Sequence, residues 1–156
     1  KGEKFYGVYC YDYTLNVFCI MKIPGMEKKL INDPCRTIDL FPTILELAKI
    51  KPTSELSSDG ESLFPLVEKN SNPEREIFAE TGGLYGPWPS PEKHNVFWYK
   101  YNSKKIIYNQ TPNTWEFYDL KSDPDELDNI YRNNSDIIKL YKKRLENFLK
   151  NNGILS

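Results

Sequence analysis

The sequence lacks the features that would point directly to nucleic acid or a membrane. Its 21 Lys and Arg residues against 22 Asp and Glu residues give a formal net charge of −1, so no uniform positive field is available for polyanions or anionic lipid. The most apolar run, Val17 to Ile23, contains Lys22 and is far shorter than the roughly 18 residues of a membrane-spanning helix. We therefore expect a soluble chain that binds neither nucleic acid nor a membrane. The sequence does not indicate the cellular compartment.

Residues for metal or nucleophile chemistry are also scarce. His94 is the only histidine, so a Ser-His-Asp triad or a Cys/His zinc site would depend on that one side chain. The three cysteines, Cys10, Cys19 and Cys35, fit neither a C-x-x-C pair nor a disulfide framework. We interpret them as buried or inert thiols, and His94 as a surface residue in a proline-rich loop.

Aromatic residues are abundant instead. They make up 14% of the chain, whereas hydrophobic residues in total reach only 39%. Large rings must therefore supply much of the buried area, which disfavours disorder. With 156 residues, we expect one core, with room for an appendage. The chain begins at Lys1 with neither Met nor a signal peptide, which suggests a piece of a longer protein.

The first half predicts one strand and one helix. Residues 17–23 form a nearly continuous apolar run closed by Pro24-Gly25, a pattern typical of a strand buried on both faces of a sheet. Asp39 offers an N-cap for a helix over about 39–50, which the Lys51-Pro52 pair ends. A short turn or helical segment is predicted over 61–67.

The second half predicts an antiparallel sheet and a terminal helix. Four segments rich in aromatic and β-branched residues alternate with Gly, Pro and Asn: 76–81, 96–101, 104–109 and 115–120. A long irregular loop, Gly82 to Pro91, separates the first two and is a candidate recognition loop. Apolar residues at helical spacing predict a helix over about 135–151 that covers the sheet.

Residues 119–126 concentrate four carboxylates, from Asp119 to Glu126. Such acids could bind a hard cation, but the glycine and the distal glutamate of a calcium loop are missing. A turn that leads into a helix N-terminus explains the same acids through capping and the helix dipole. We favour the structural interpretation.

Several segments together resemble the carboxyl-terminal third of sulfatases. They are Gly2-Glu3-Lys4-Phe5-Tyr6-Gly7, Tyr11-Asp12, the 17–25 segment ending in Pro-Gly, Arg36-Thr37-Ile38-Asp39-Leu40-Phe41-Pro42-Thr43-Ile44-Leu45-Glu46-Leu47-Ala48, Asp59-Gly60-Glu61-Ser62-Leu63, and Glu116-Phe117-Tyr118-Asp119-Leu120 followed by Asp123-Pro124-Asp125-Glu126 and Asn129. Both their order and their spacing match the family. The resemblance covers almost the whole chain.

The resemblance implies the end of a mixed α/β sulfatase-type domain, of alkaline-phosphatase-like fold, followed by a small four-stranded antiparallel sheet covered by a C-terminal helix. In isolation this piece would be classed as α+β. Residues 1–70 would be the tail of the main domain, and 71–156 the C-terminal subdomain. The rest of the parent domain would then be the main partner, and surfaces left uncovered could drive homo-oligomerisation of the fragment.

The same resemblance implies a formylglycine nucleophile from a [CS]-x-P-x-R motif and a divalent cation, usually calcium, in the parent. No cysteine of this chain fits the motif, because Cys35 is followed by Arg36-Thr37 and neither other cysteine has Pro two residues later. We therefore expect no catalytic residue and no metal site in this chain. Of the family's late metal-binding motif only Gly2 and Glu3 match, and Lys1 stands where His or Asn is usual.

Two classes of function follow. In the first, the parent hydrolyses sulfate esters, or phosphate or phosphonate esters, and this piece supplies scaffold and part of the substrate cleft. In the second, the piece is a non-catalytic binding or interaction domain of sulfatase ancestry. The residues expected near a sulfated small molecule or glycan are Lys1, Glu3, Tyr85, Trp88 and His94. For Trp88, packing on the protein's own surface is the alternative.

Overall fold

The computed structural model describes residues 9–52, 58–69, 75–82 and 95–155. Its contacts divide the chain into two compact units. One combines Lys1–Cys19 with Glu76–Ser156, and the other is Ile20–Arg75. The first unit thus joins segments from both ends of the sequence.

A four-stranded antiparallel sheet forms the centre of the first unit. Its strands, in chain order, are β1 (Ile77–Thr81), β2 (Val96–Tyr101), β3 (Lys104–Asn109) and β4 (Thr114–Asp119). Every strand lies within one residue of its predicted bounds, because each combines aromatic and β-branched residues with flanking turn residues. The predicted fold class, a small antiparallel sheet with helices in a mixed α/β chain, is confirmed.

A tight hairpin fixes the register of the two central strands. Tyr101 pairs with Lys104, and the two residues between them, Asn102 and Ser103, both have positive φ, at 43° and 55°. This is the backbone of a type I′ turn, whose twist matches that of the flanking strands.

Helix α4 (Asp136–Asn151) covers one face of this sheet. Its buried residues Ile138, Tyr141, Leu145 and Leu149 recur at helical spacing, as the sequence predicted. They pack against a layer of strand residues, Phe97, Tyr99, Ile106, Tyr108 and Phe117. The Tyr141 hydroxyl also donates a hydrogen bond of 2.7 Å to the carbonyl of Tyr101.

The opposite face of the sheet is covered by the beginning of the chain. Cys10 is buried there with Val96, Trp98, Ile107 and Tyr118, and a four-residue helix, α1 (Asp12–Leu15), follows directly. The expectation of a buried thiol is correct for Cys10, whereas Cys19 and Cys35 are exposed.

The second unit contains helices α2 (Leu40–Leu47) and α3 (Phe64–Lys69). A 3-10 turn at Thr37–Asp39 leads into α2, and a Schellman-type cap ends it, with Lys49 at φ 57° and the Ile50 amide donating to the Leu45 carbonyl. The helix predicted over about 39–50 is therefore present, and α3 lies at the segment predicted over 61–67.

The strand predicted over 17–23 is not formed. Residues 16–23 have no regular secondary structure, and Val17, Phe18 and Ile20 are 74%, 88% and 86% exposed. A strand buried on both faces requires neighbouring strands, and no strand of the described ranges pairs with this segment. The segment is apolar as described, but no strand of the described residues lies beside it to pair with it. The division at residue 70 stays a prediction.

Candidate functional site

The five residues expected near a substrate, Lys1, Glu3, Tyr85, Trp88 and His94, lie outside the described residues. Their placement stays a prediction. The structure does bring together three polar clusters that sequence reasoning did not identify.

The first cluster is a buried ion network on the sheet face that the beginning of the chain covers. Lys105 has no exposed side-chain surface, and its Nζ lies 2.7 Å from Asp12 Oδ1 and 2.8 Å from Glu126 Oε1. Lys100 Nζ lies 2.6 Å from the other Asp12 oxygen. Two ammonium groups thus face two carboxylates, which offsets much of the cost of burying them.

Glu126 also binds the backbone of the chain's first segment. The Asp12 amide donates a 2.6 Å hydrogen bond to Glu126 Oε2, and Glu126 itself has a positive φ of 52°. A non-glycine residue in this left-handed region costs about 1–2 kcal/mol, so the surrounding contacts must hold it there. Burial alone would raise the pKa of Asp12, but Lys105 and Lys100 beside it outweigh burial and lower that pKa.

The second cluster surrounds Glu116 on the same face. Its carboxylate accepts hydrogen bonds from Tyr11 at 2.9 Å, Tyr118 at 2.6 Å and Asn109 at 2.8 Å. Burial raises the pKa of Tyr11 and Tyr118 above the ordinary value of tyrosine. The charge and hydrogen bonding of Glu116 raise it further. Both phenols therefore stay protonated and donate to Glu116.

The third cluster lies in the second unit around Asp39, whose side chain is fully buried. Its carboxylate accepts from Arg36, from Arg75 Nη1 at 3.0 Å and from the Glu61 amide at 2.9 Å. Burial opposes ionisation, but the hydrogen bonds from Arg36 and from the Glu61 amide, together with the charge of Arg36, hold the pKa of Asp39 below its usual range. The Asp-Leu-x-Pro-Thr segment is thus tied to the Asp-Gly-Glu segment that follows it in the sequence.

Gly60 shows why that second segment needs glycine. A Cβ at this position would lie 2.1 Å from the carbonyl oxygen of Ile38. Only a residue without a side chain permits this close backbone approach.

The acids of this turn make structural contacts, but the helix N-terminus that we predicted for them is not there, because residues 126–129 are irregular and the next helical turn begins at Ile130. The Asp123 carboxylate accepts from the amides of Leu127 and Asp128, each at 3.0 Å, and Asp119 lies 3.2 Å from Lys104 Nζ. Asn129 then binds β4 by accepting from the Phe117 amide. In the described ranges, no group of three or more His, Cys, Asp or Glu side chains is placed to hold a metal.

These clusters connect segments and leave their charged groups occupied by one another. Within the described residues, none of the three clusters pairs a nucleophile with a general base. Their role is to hold segments of the chain in position. A single signal in the sequence pointed to the first cluster. Lys105 lies two residues before Ile107, so both side chains are on the same face of a strand whose other face is apolar.

Comparison with known proteins gives the same family as the residue pattern. The family model described as N-sulphoglucosamine sulphohydrolase, C-terminal, matches residues 3–151. The chain belongs to this family of sulfatase C-terminal domains.

Curated relatives and solved structures agree with this assignment. Arylsulfatase K of Homo sapiens is 28% identical over 144 residues, covering 83% of this chain and 25% of that protein. The arylsulfatase of Volvox carteri is 28% identical over 150 residues, covering 80% and 23%. A structure of BT4656 with its substrate D-glucosamine-2-N,6-O-disulfate is 25% identical, with a TM-score of 0.57, covering 72% of this chain and 23% of that one.

The chain therefore spans about a quarter of the length of the relatives it matches. Among the described residues, the longest apolar helical stretch falls short of what a membrane crossing requires.

Proposed function

We propose that this chain is the carboxyl-terminal part of a sulfatase-like hydrolase whose complete protein cleaves sulfate esters. The observation that carries the proposal is the family match over residues 3–151, on a sheet and helix that resemble the corresponding part of BT4656. The same chemistry on a phosphate or phosphonate ester is the alternative within the hydrolase class.

The role of this piece is to provide scaffold and part of the substrate cleft. Support comes from its polar clusters, which join distant segments, and from the apolar residues it leaves exposed. Phe41 and Ile44 of α2 are 42% and 59% exposed, more than a helix in a finished core would leave. The remainder of the parent domain is the partner that would cover them.

Sulfatases of this type use a divalent cation, usually calcium, and a formylglycine nucleophile. The described residues do not fit a cation site, because no group of three or more of their His, Cys, Asp or Glu side chains is placed to hold an ion. We therefore place the cation and the nucleophile in the parent upstream of Lys1, with Glu3 at the edge of that site. No step of the reaction is assigned to a described residue.

The substrate class we propose is a sulfated sugar or a sulfated small molecule. The bound substrate of BT4656 supports the sugar. Tyr85, Trp88 and His94 are proposed near the entrance of the cleft, because the loop that carries them joins β1 to β2 at one end of the sheet.

The parent protein tests the proposal directly. Its sequence upstream of Lys1 should contain a [CS]-x-P-x-R motif with metal-binding acids, and the purified parent should hydrolyse an aryl sulfate in the presence of calcium. Absence of both would favour the non-catalytic domain. Activity on an aryl phosphate without activity on the sulfate would favour the alternative hydrolase.

The isolated chain should show no turnover of aryl sulfate or aryl phosphate above background, with or without calcium. Metal-assisted hydrolysis needs a fixed ion and a positioned nucleophile, and no group of described side chains is placed to hold the ion. A metal-dependent turnover that copurifies with the folded chain and survives Glu3→Gln unchanged would contradict this expectation.

A further inference from the structure

The exposed side of α4 carries a row of basic and amide side chains. Lys139, Lys143, Asn147 and Lys150 are exposed and recur at i, i+4, i+8 and i+11, so they lie along one face of the helix. We call this row the lysine ridge. At 1.5 Å per residue it extends over about 16 Å.

Positive charge is concentrated on this helix although the whole chain is nearly neutral. Residues of α4 include five basic side chains and two acidic ones, whereas the chain has a formal net charge of −1. Lys139 Nζ lies 3.2 Å from Asp136 Oδ1. Lys143 and Lys150 form no ion pair with any described residue. Lys143 and Lys150 therefore present ammonium groups that are available to an external anion, whereas Lys139 would exchange its exposed partner Asp136 for that anion.

The basic side chains beside the ridge are engaged elsewhere. Lys142 Nζ lies 4.9 Å from the centre of the Trp115 ring and 3.8 Å from Glu146 Oε1, and Arg144 pairs with Glu76. Lys142 and Arg144 are therefore occupied by other side chains and are not counted in the ridge. The lysines of the ridge are Lys139, Lys143 and Lys150.

The support below the ridge is rigid. The opposite side of α4 buries Ile138, Tyr141, Leu145 and Leu149 against the sheet. Four buried anchors along the helix fix the spacing of the exposed lysines. A rigid row of cations loses less entropy on binding a repeating anion than lysines on a loop would.

We propose that the lysine ridge is an accessory binding surface for a sulfated oligosaccharide, separate from the cleft where hydrolysis takes place. The choice of ligand rests on the proposed function, since a sulfatase acting on sugars would meet chains with several sulfate groups. Charge complementarity is the physical basis: each sulfate accepts from an ammonium group, and Asn147 offers an amide between Lys143 and Lys150.

Each exposed contact is weak, so the surface selects ligands with several anions. A single surface ion pair contributes about 0.2–1 kcal/mol, and salt screens it. A monosulfated sugar should therefore bind immeasurably weakly, while an oligosaccharide spanning the ridge gains from all three lysines together.

The experiment is titration calorimetry of the full chain with a heparin hexasaccharide in low salt. The triple variant Lys139→Gln, Lys143→Gln, Lys150→Gln should bind about tenfold more weakly. The matched control is Lys28→Gln, Lys51→Gln, Lys121→Gln, which removes the same charge from exposed positions elsewhere. It should bind within about twofold of the unaltered chain.

Three outcomes would overturn the proposal: no binding of the hexasaccharide by the folded chain, equal losses in the two triple variants, or tighter binding of duplex DNA or phosphatidylserine vesicles than of the hexasaccharide. Circular dichroism establishes that both variants are folded. The calorimetric titration measures binding, so its outcome does not depend on whether the parent hydrolyses a sulfate ester.

Discussion

Lys105 has no solvent-exposed surface, and its Nζ lies within 2.8 Å of both the Asp12 and the Glu126 carboxylates. Removing one member of such a group leaves an uncompensated charge in the interior, which costs about 3–5 kcal/mol. Removing two partners together costs less than the sum, because neither is then left alone.

We expect Lys105→Met and Glu126→Gln each to lower the free energy of unfolding by about 3 kcal/mol. The double variant should lose about 1–3 kcal/mol less than the sum of the two. Urea denaturation of the four proteins measures this coupling.

The neighbouring residue on the same strand supplies the control. Lys104 pairs with Asp119 at the surface, so the cycle of Lys104→Met with Asp119→Asn should show coupling below about 1 kcal/mol. Equal coupling in both cycles would mean that burial of Lys105 has no special energetic consequence.

The lowered pKa values of Asp12 and Asp39 set the direction of the acid dependence. A carboxyl group whose pKa is lower in the folded than in the unfolded state adds stability above its unfolded pKa, near 4, and loses it as the pH falls through the folded pKa. The free energy of unfolding, from urea titrations at several pH values, should therefore fall below about pH 4.

Asp39→Asn tests the assignment of this acid dependence. It should destabilise the protein at neutral pH and flatten the decline in acid. An unchanged acid slope in this variant would remove Asp39 from the explanation.

At the scale of elements, helix α4 and the sheet depend on one another. Leu145→Ala removes a side chain that is 1% exposed, whereas Leu140→Ala changes one on the same helix that is 60% exposed. We expect the first to cost about 2–5 kcal/mol and the second less than about 0.5 kcal/mol, measured by thermal or urea denaturation. Similar small effects from both would show that α4 does not pack as described.

The four strands and α4 could be predicted because their information is local. Alternating aromatic and β-branched residues and an apolar helical stripe are present within each segment. The segment 17–23 has an equally strong apolar pattern but forms no strand, since pairing requires a neighbour that its own residues do not specify.

The polar clusters could not be predicted, because their members are far apart in the sequence. Asp12 and Lys105 are separated by 93 positions, and no local pattern joins them. Glu116 resembles an ordinary strand residue in the sequence; the sheet register places it near Asn109, and the packing of the chain's first segment on the sheet brings Tyr11 to it. The predicted substrate-proximal residues lie outside the described ranges, so their role stays open to experiment.

At the scale of the whole molecule, apolar side chains remain in contact with solvent. Phe18 and Ile20 are the most exposed of them, and such groups associate when their natural cover is missing. The isolated chain should self-associate with rising concentration in sedimentation velocity, and Phe18→Ser with Ile20→Ser should reduce that association. A strictly monomeric chain at high concentration would contradict the expectation.

The bond between the Asp12 amide and Glu126 joins residues 114 positions apart, and this separation has a consequence for synthesis. A ribosome adds about 5–20 residues per second, so roughly 6–23 seconds pass between the translation of Asp12 and that of its partner. During that interval the Asp12 amide lacks this acceptor. The contact between the first segment and Glu126 is therefore made only after all four strands of the sheet have been synthesised.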